Sequence, residues 1–140
     1  MVQVLIGMGS NIEPEQNLRL AAIALRRDFE GASFSAVYRS PAVDMEGADF
    51  FNACCRVESE LSASQLKTRL KALEDAQGRD RSEGPWRPRT LDLDVLMYDG
   101  QVLDDELYRY AHAYVPAAEL VALELPGDGA GTVTLVELRL

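Results

Sequence analysis

This chain is short of basic residues relative to acidic ones, has a single histidine and lacks long apolar stretches. Lysine and arginine number 14 against 23 aspartates and glutamates, a formal net charge of −9 over 140 residues. Such a field opposes nucleic acid and anionic membrane surfaces unless the few cations are gathered in one place, so neither partner is expected. No apolar run approaches the roughly 20 residues that cross a bilayer. The start, MVQVLIGMGS, lacks the basic opening and long apolar stretch of a secretory signal, and a cytoplasmic protein is expected. The only cysteines, Cys54 and Cys55, are adjacent. Neighbours in a strand point to opposite faces, so a disulfide between them would be strained; both are expected reduced and packed as small hydrophobes. No cysteine or histidine spacing matches a zinc site.

What is present suits a single domain over 1–140, with 47% hydrophobic residues and no repeat or linker. VQVLI (2–6) reads as a strand running into a tight loop at Gly7–Asn11. Pro14 suits a first helical turn, and Leu18, Ala22, Leu25 and Phe29 form one apolar stripe, closed by Gly31. ASFSAVYRS (32–40) and FFNACCRVES (50–59) read as strands. Ser62 to Gln65 fits a capping box opening a second helix with Leu66, Leu70 and Leu73 on its apolar face, stopped by Gly78. A strand at 91–98 turns at Asp99-Gly100 into a short strand near 101–103. The order β-α-β-β-α-β predicts an α+β, ferredoxin-like core: an antiparallel sheet with helices on one face, plus a short C-terminal extension. TVTLVEL alternates like a strand, but Thr134 to Glu137 also fits a capping box, and a short final helix is expected there.

Within WRPRTLDLDVLMYDG (86–100), alternation puts Asp92, Asp94, Leu96 and Tyr98 on one face and Leu93, Val95 and Met97 on the other. Side-by-side carboxylates repel, so a cation is expected between or over them. Arg79, Arg81, Arg87 and Arg89 stand against Asp80 and Glu83 in the preceding stretch, a local excess of two positive charges. Hard divalent cations such as magnesium take carboxylate oxygens and are commonly completed by substrate phosphates. Acids beside arginines therefore suit a polyphosphate held by metal on one flank and guanidinium groups on the other. A plain Asp–Arg ion-pair network fits the spacing equally well. Phe50 and Asn52 share a strand face, where a ring and an amide could recognise a flat heterocycle; the alternative is ordinary core for the phenylalanines and a strand-end role for the amide. Gly7-x-Gly9 has Ile12 where a dinucleotide fingerprint needs a third glycine. It predicts a positive-φ turn or close backbone packing, with any ligand role falling to backbone amides and Asn11.

Together these motifs resemble the 6-hydroxymethyl-7,8-dihydropterin pyrophosphokinase family. The likeness runs from about Val4 to Tyr98 and is densest over Leu73-Glu74, Gln77-Gly78-Arg79-x-Arg81 and Trp86-x-Pro88-Arg89-Thr90-Leu91-Asp92-Leu93-Asp94; Gly7-x-Gly9-Ser10-Asn11, Tyr38-Arg39-Ser40-Pro41 and Phe50-Phe51-Asn52-Ala53 add to it. It implies transfer of pyrophosphate from ATP to the pterin hydroxymethyl oxygen, with ATP and hydroxymethyl-dihydropterin as small-molecule partners. It further implies two Mg2+ ions bridged by Asp92 and Asp94. Arg79, Arg81 and Arg89 would meet the nucleotide or its phosphates, with Glu74 and Trp86 nearby; Ser40, Pro41, Val43, Phe50 and Asn52 would line the pterin pocket. By the same likeness, 78–88 would close over ATP. The segment DDELYRYAHAYVPAAEL is shorter than the family pattern. One alignment sets Tyr114 where an aromatic stacks on the pterin and His112 where an arginine meets phosphate; in another, His112 is a displaced family histidine, and Arg109 could compensate in either. Imidazole lacks the guanidinium's fixed fork of donors. A relative that binds pterin or nucleotide with impaired transfer is the alternative reading. A monomer is favoured, with the oligomeric state open.

Overall fold

Strand β1 (Val2–Ser10) occupies the middle of the sheet, paired on one side with β4 (Phe50–Ser59) and on the other with β5 (Asp92–Tyr98), both antiparallel. The structure, a computed structural model, describes residues 1–41, 48–77, 91–123 and 132–140. Outward from β4 lie β2 (Glu30–Phe34) and β3 (Val37–Ser40), then β7 (Thr134–Val136); outward from β5 lies β6 (Gln101–Val102). Every pairing among the described strands is antiparallel.

Helices α1 (Pro14–Asp28) and α2 (Ala63–Ala76) pack on one face. Val4, Ile6 and Met8 of β1 meet Leu18, Leu25, Leu66 and Leu70 in the larger core cluster, as the spacing of the stripes predicts. The Ser62 hydroxyl accepts from the Gln65 N–H, and the Gln65 side chain accepts from the Ser62 N–H, so the capping box forms as read. A second, smaller cluster lies on the opposite face, where the C-terminal extension folds into α3 (Glu106–Arg109) and α4 (Ala111–Ala118). There Leu107, Ala113 and Ala117 cover Leu5, Cys54 and Leu96. Cys54 and Cys55 are free and buried, one in each cluster, as alternation requires. No described helix is long and apolar enough to cross a membrane.

Several local expectations are corrected. Strand β1 does not stop at Ile6: it continues through Gly7 and Gly9 to Ser10, because strands on both sides take up its backbone groups. Neither glycine has positive φ; the described glycines that do are Gly31 and Gly100. The stretch 32–40 is two strands, interrupted where Ser35 leaves the ladder to bond Cys54 through both its amide and its hydroxyl. A bulge opposite Leu5/Ile6 sends Met97 to the α3–α4 side and Tyr98 to the α1–α2 side, inverting the alternation expected beyond Leu96. Thr134–Val136 is a strand rather than a helix, paired with β3. One turn of helix is too short to hold itself together, whereas an open strand edge satisfies the same backbone groups.

Ser62→Ala removes the acceptor at the α2 N-terminus and should lower stability by about 1 kcal/mol. Thermal melting should show a Tm lower by roughly 3 °C.

Candidate active site

On the α3–α4 face, β1 supplies a floor without side chains. Gly7 lies opposite Asp94 of β5 and Cys54 of β4; Gly9 lies opposite Asp92 on one side and Asn52 on the other. The two positions differ. A Cβ on Gly7 would press to 3.1 Å from the Leu96 side chain, while one on Gly9 would meet Asn52 Oδ1 at 3.6 Å and Phe50 at 3.7 Å, ordinary contact distances. Gly7 therefore packs closely against Leu96, and Gly9 leaves space between the acids and the amide.

Asp92 and Asp94 face away from the larger core, while Leu93 and Val95 enter it. The hairpin after β5 brings more acid to them. The N–H groups of Leu103 and Asp104 donate to the Leu96 carbonyl, at 2.9 and 3.4 Å, folding the chain back across the strand. Asp104 then accepts from the Glu106 N–H at 3.0 Å, and carboxylate oxygens of Asp94, Asp104 and Glu106 gather within 4.8 Å of one another. Burial first, then the charges of Asp92 and Glu106, pushes the Asp94 carboxyl up to about 8. Burial likewise raises Asp104, with the nearby charges adding to it. Hard oxygen donors gathered this closely are a donor set that suits a divalent cation. Asp104 and Glu106 were not singled out in sequence; the signal was the Asp99-Gly100 turn, which sends the acidic run DDE back along β5.

Between β5 and α2 a groove of about 320 Å³ is lined by Lys67, Lys71 and Glu74 on the helix and by Asp92, Asp94 and Asp104 opposite. The two lysines, one helical turn apart, also went unremarked in sequence. Glu74 is 2% exposed, and its carboxylate accepts from the Leu93 N–H at 3.4 Å, directly between the two aspartates. A larger hollow of about 720 Å³ lies beside the start of α1 and Phe51. It holds none of the residues singled out for chemistry.

At the other end of the floor, Asn52 and Ser40 are buried side by side. The Asn52 amide nitrogen donates to Ser40 Oγ at 2.8 Å and to the Tyr38 carbonyl at 3.2 Å. Phe50, half-buried, shares the face with Asn52, and Pro41 is exposed just past β3. On α4, His112 Nε2 pairs with Glu106 and the ring stacks on Tyr110, centroids 5.2 Å apart. The tilted ring of Tyr114 lies 6.1 Å from Tyr108. The structure thus gathers Asp92, Asp94, Glu74, Ser40, Asn52 and Phe50 around one strand, while His112 is engaged by an acid of the cluster. Val43, Arg79, Arg81, Trp86 and Arg89 lie outside the described residues.

An acid whose pKa rises on folding keeps a proton that the unfolded chain has lost. The stability this confers is present at low pH and is lost as the pH climbs from the ordinary carboxylate range towards about 8. Without metal, the Tm should fall between pH 5 and 8.5, and fall less in Asp94→Asn. Added Mg2+ should recover part of the loss in the parent at pH 8.5.

Residues 5–123 match the family model described as 7,8-dihydro-6-hydroxymethylpterin-pyrophosphokinase. Several relatives carry the name 2-amino-4-hydroxy-6-hydroxymethyldihydropteridine pyrophosphokinase. The Haemophilus influenzae protein is 33% identical, covering 89% of this chain and 80% of its own length. The Pseudomonas putida protein is 34% identical, covering 83% and 98%. The Synechocystis protein is 33% identical, covering 94% and 73%.

Proposed function

The chain belongs to the 7,8-dihydro-6-hydroxymethylpterin-pyrophosphokinase family, and we propose that its reaction runs across the glycine floor of β1. The protein transfers pyrophosphate from ATP to the hydroxymethyl group of 6-hydroxymethyl-7,8-dihydropterin, giving AMP and the pterin diphosphate. The hydroxymethyl oxygen attacks the β-phosphorus, its proton passes to solvent, and the bond from that phosphorus to the AMP oxygen breaks. We take residues 1–140 as one catalytic unit, since both core clusters share one sheet.

The observation that carries this reading is the register: Gly9 separates Asp92 on one flank from Asn52 on the other. The acid flank suits the phosphates and the amide flank suits the pterin. Asp92 and Asp94 would hold Mg2+, two ions by the family's pattern; bound there, the metal neutralises phosphate charge and fixes the triphosphate. The groove between α2 and β5 would take the nucleotide, with Glu74 at its buried end and Lys67 and Lys71 as further cations. Arg79, Arg81 and Arg89 complete the phosphate contacts on this reading, with Trp86 against the nucleotide; the sequence motif is their support. Ser40, Pro41, Val43, Phe50 and Asn52 form the pterin side, with Tyr114 covering the heterocycle from α4. His112 sits on the nucleotide side and acts through Glu106, which its imidazole already engages. Such a site works by aligning oxygen and phosphorus and offsetting charge as it develops.

Asp94→Ala should abolish AMP formation from ATP and the pterin, with more than about 100-fold loss of kcat and an unaltered circular dichroism spectrum. Turnover equal to the parent's would remove Asp94 from the metal site. Gly9→Ala, which the fold accommodates, should raise the pterin KM about tenfold by filling the floor, and leave the ATP KM within about twofold. Steady-state kinetics with each substrate varied in turn checks this.

A further inference from the structure

The pterin side raises a question of polarity. A buried asparagine can present either its oxygen or its NH2 to a ligand, and the two choices recognise opposite hydrogen-bonding edges. Here the choice is set from beneath. The Tyr38 carbonyl can only accept, so the Asn52 group facing it must be the NH2, and Ser40 Oγ takes the other hydrogen. Reversed, the amide would set oxygen against oxygen in a buried site. Oδ1 is left near the open position over Gly9, 3.6 Å from where a Cβ would stand. An acceptor there suits the amino and ring N–H groups of a pterin.

Ladders with β4 and β7 hold β3 on both sides, but not the residue before it. Strand β3 is four residues long and follows an interruption, since Ala36 lies between β2 and β3 outside either ladder. One carboxylate, Glu119 at the end of α4, spans that point. Its Oε1 accepts from the Ala36 N–H at 3.0 Å and its Oε2 from the Tyr38 hydroxyl at 2.6 Å. Arg56 of β4 donates to the Leu120 carbonyl at 2.7 Å, fixing the same end of the helix to the sheet.

We propose that Glu119 is a positioning residue for pterin recognition: it holds β3 at Ala36 and Tyr38, and so fixes the acceptors that keep Asn52 Oδ1 turned to the glycine floor. This rests on the assignment of Asn52 to the pterin side made above. Glu119 touches neither substrate. It acts through the backbone of β3 and one amide.

Glu119→Ala should weaken binding of 6-hydroxymethylpterin, followed by its own fluorescence, and raise the pterin KM, each by about fivefold, the scale of one lost hydrogen bond. The ATP KM and kcat should stay within about twofold. Glu119→Gln keeps an oxygen for the Ala36 N–H and should restore pterin affinity to within about twofold of the parent. In hydrogen exchange, the Ala36 amide should lose protection in Glu119→Ala and keep it in Glu119→Gln. An unchanged pterin constant in Glu119→Ala, an equal rise in the ATP constant, or undiminished Ala36 protection each overturns the proposal. A parent that binds pterin normally while Asn52→Ala does too would instead overturn the underlying assignment of Asn52, and the role of Glu119 with it.

Discussion

The arrangement depends on the crowding of two carboxylates on one strand. Two aspartates on alternate residues of one strand are held side by side by the pleat, and the ladder with β1 leaves them no other face to occupy. Their neighbours Leu93 and Val95 are committed to the helix-side core, so a one-residue slip would bury both carboxylates in hydrocarbon and expose both apolar groups. Hydrophobic burial on one face thus enforces acid crowding on the other, and the Asp94 carboxyl is raised by its own burial first and by the neighbouring acid charges second. Glu74 adds to the constraint by accepting from the backbone amide between the two acids. On the proposed reading, a divalent cation held against a polyphosphate would turn such crowding to use.

The same ladder makes the site a graded surface. Across β1 the acids give way to a strip with no side chains, and then to an amide whose hydrogens are spent beneath it. The glycines serve as absence: Gly7 lets Leu96 pack, and Gly9 keeps the middle clear. Each flank receives a contribution from the far end of the chain. Asp104 and Glu106 join the acids from the hairpin and α3, and Glu119 reaches Ala36 and Tyr38 from the end of α4.

The segment after β6 therefore has a structural logic of its own. Its two short helices cover the end of the open sheet face with Leu107, Ala113 and Ala117, and they carry polar side chains to both flanks. His112, for which the family likeness left two placements open, spends its Nε2 on Glu106 and stacks on Tyr110, so the segment's one imidazole is tied to the acid cluster.

Much of this was legible from residue order. The two long helices, the capping box at Ser62, the opposed cysteines, the ferredoxin-like order and the pairing of Asp92 with Asp94 follow from periodicity and local chemistry, which need only neighbours in the chain. What escaped that reading was decided by partners distant in sequence. β1 runs on through its glycines because strands flank it on both sides, and Met97 and Tyr98 exchange faces because a bulge opposes them. Thr134–Val136 becomes a strand because β3 offers an open edge. Asp104 and Glu106 reach the site because a two-residue turn reverses the chain, and the amide of Asn52 acquires its direction from a carbonyl and a hydroxyl on a neighbouring strand. Local sequence sets which groups share a face; which faces meet, and which way a buried amide points, are settled only when non-local backbone groups must find partners away from water.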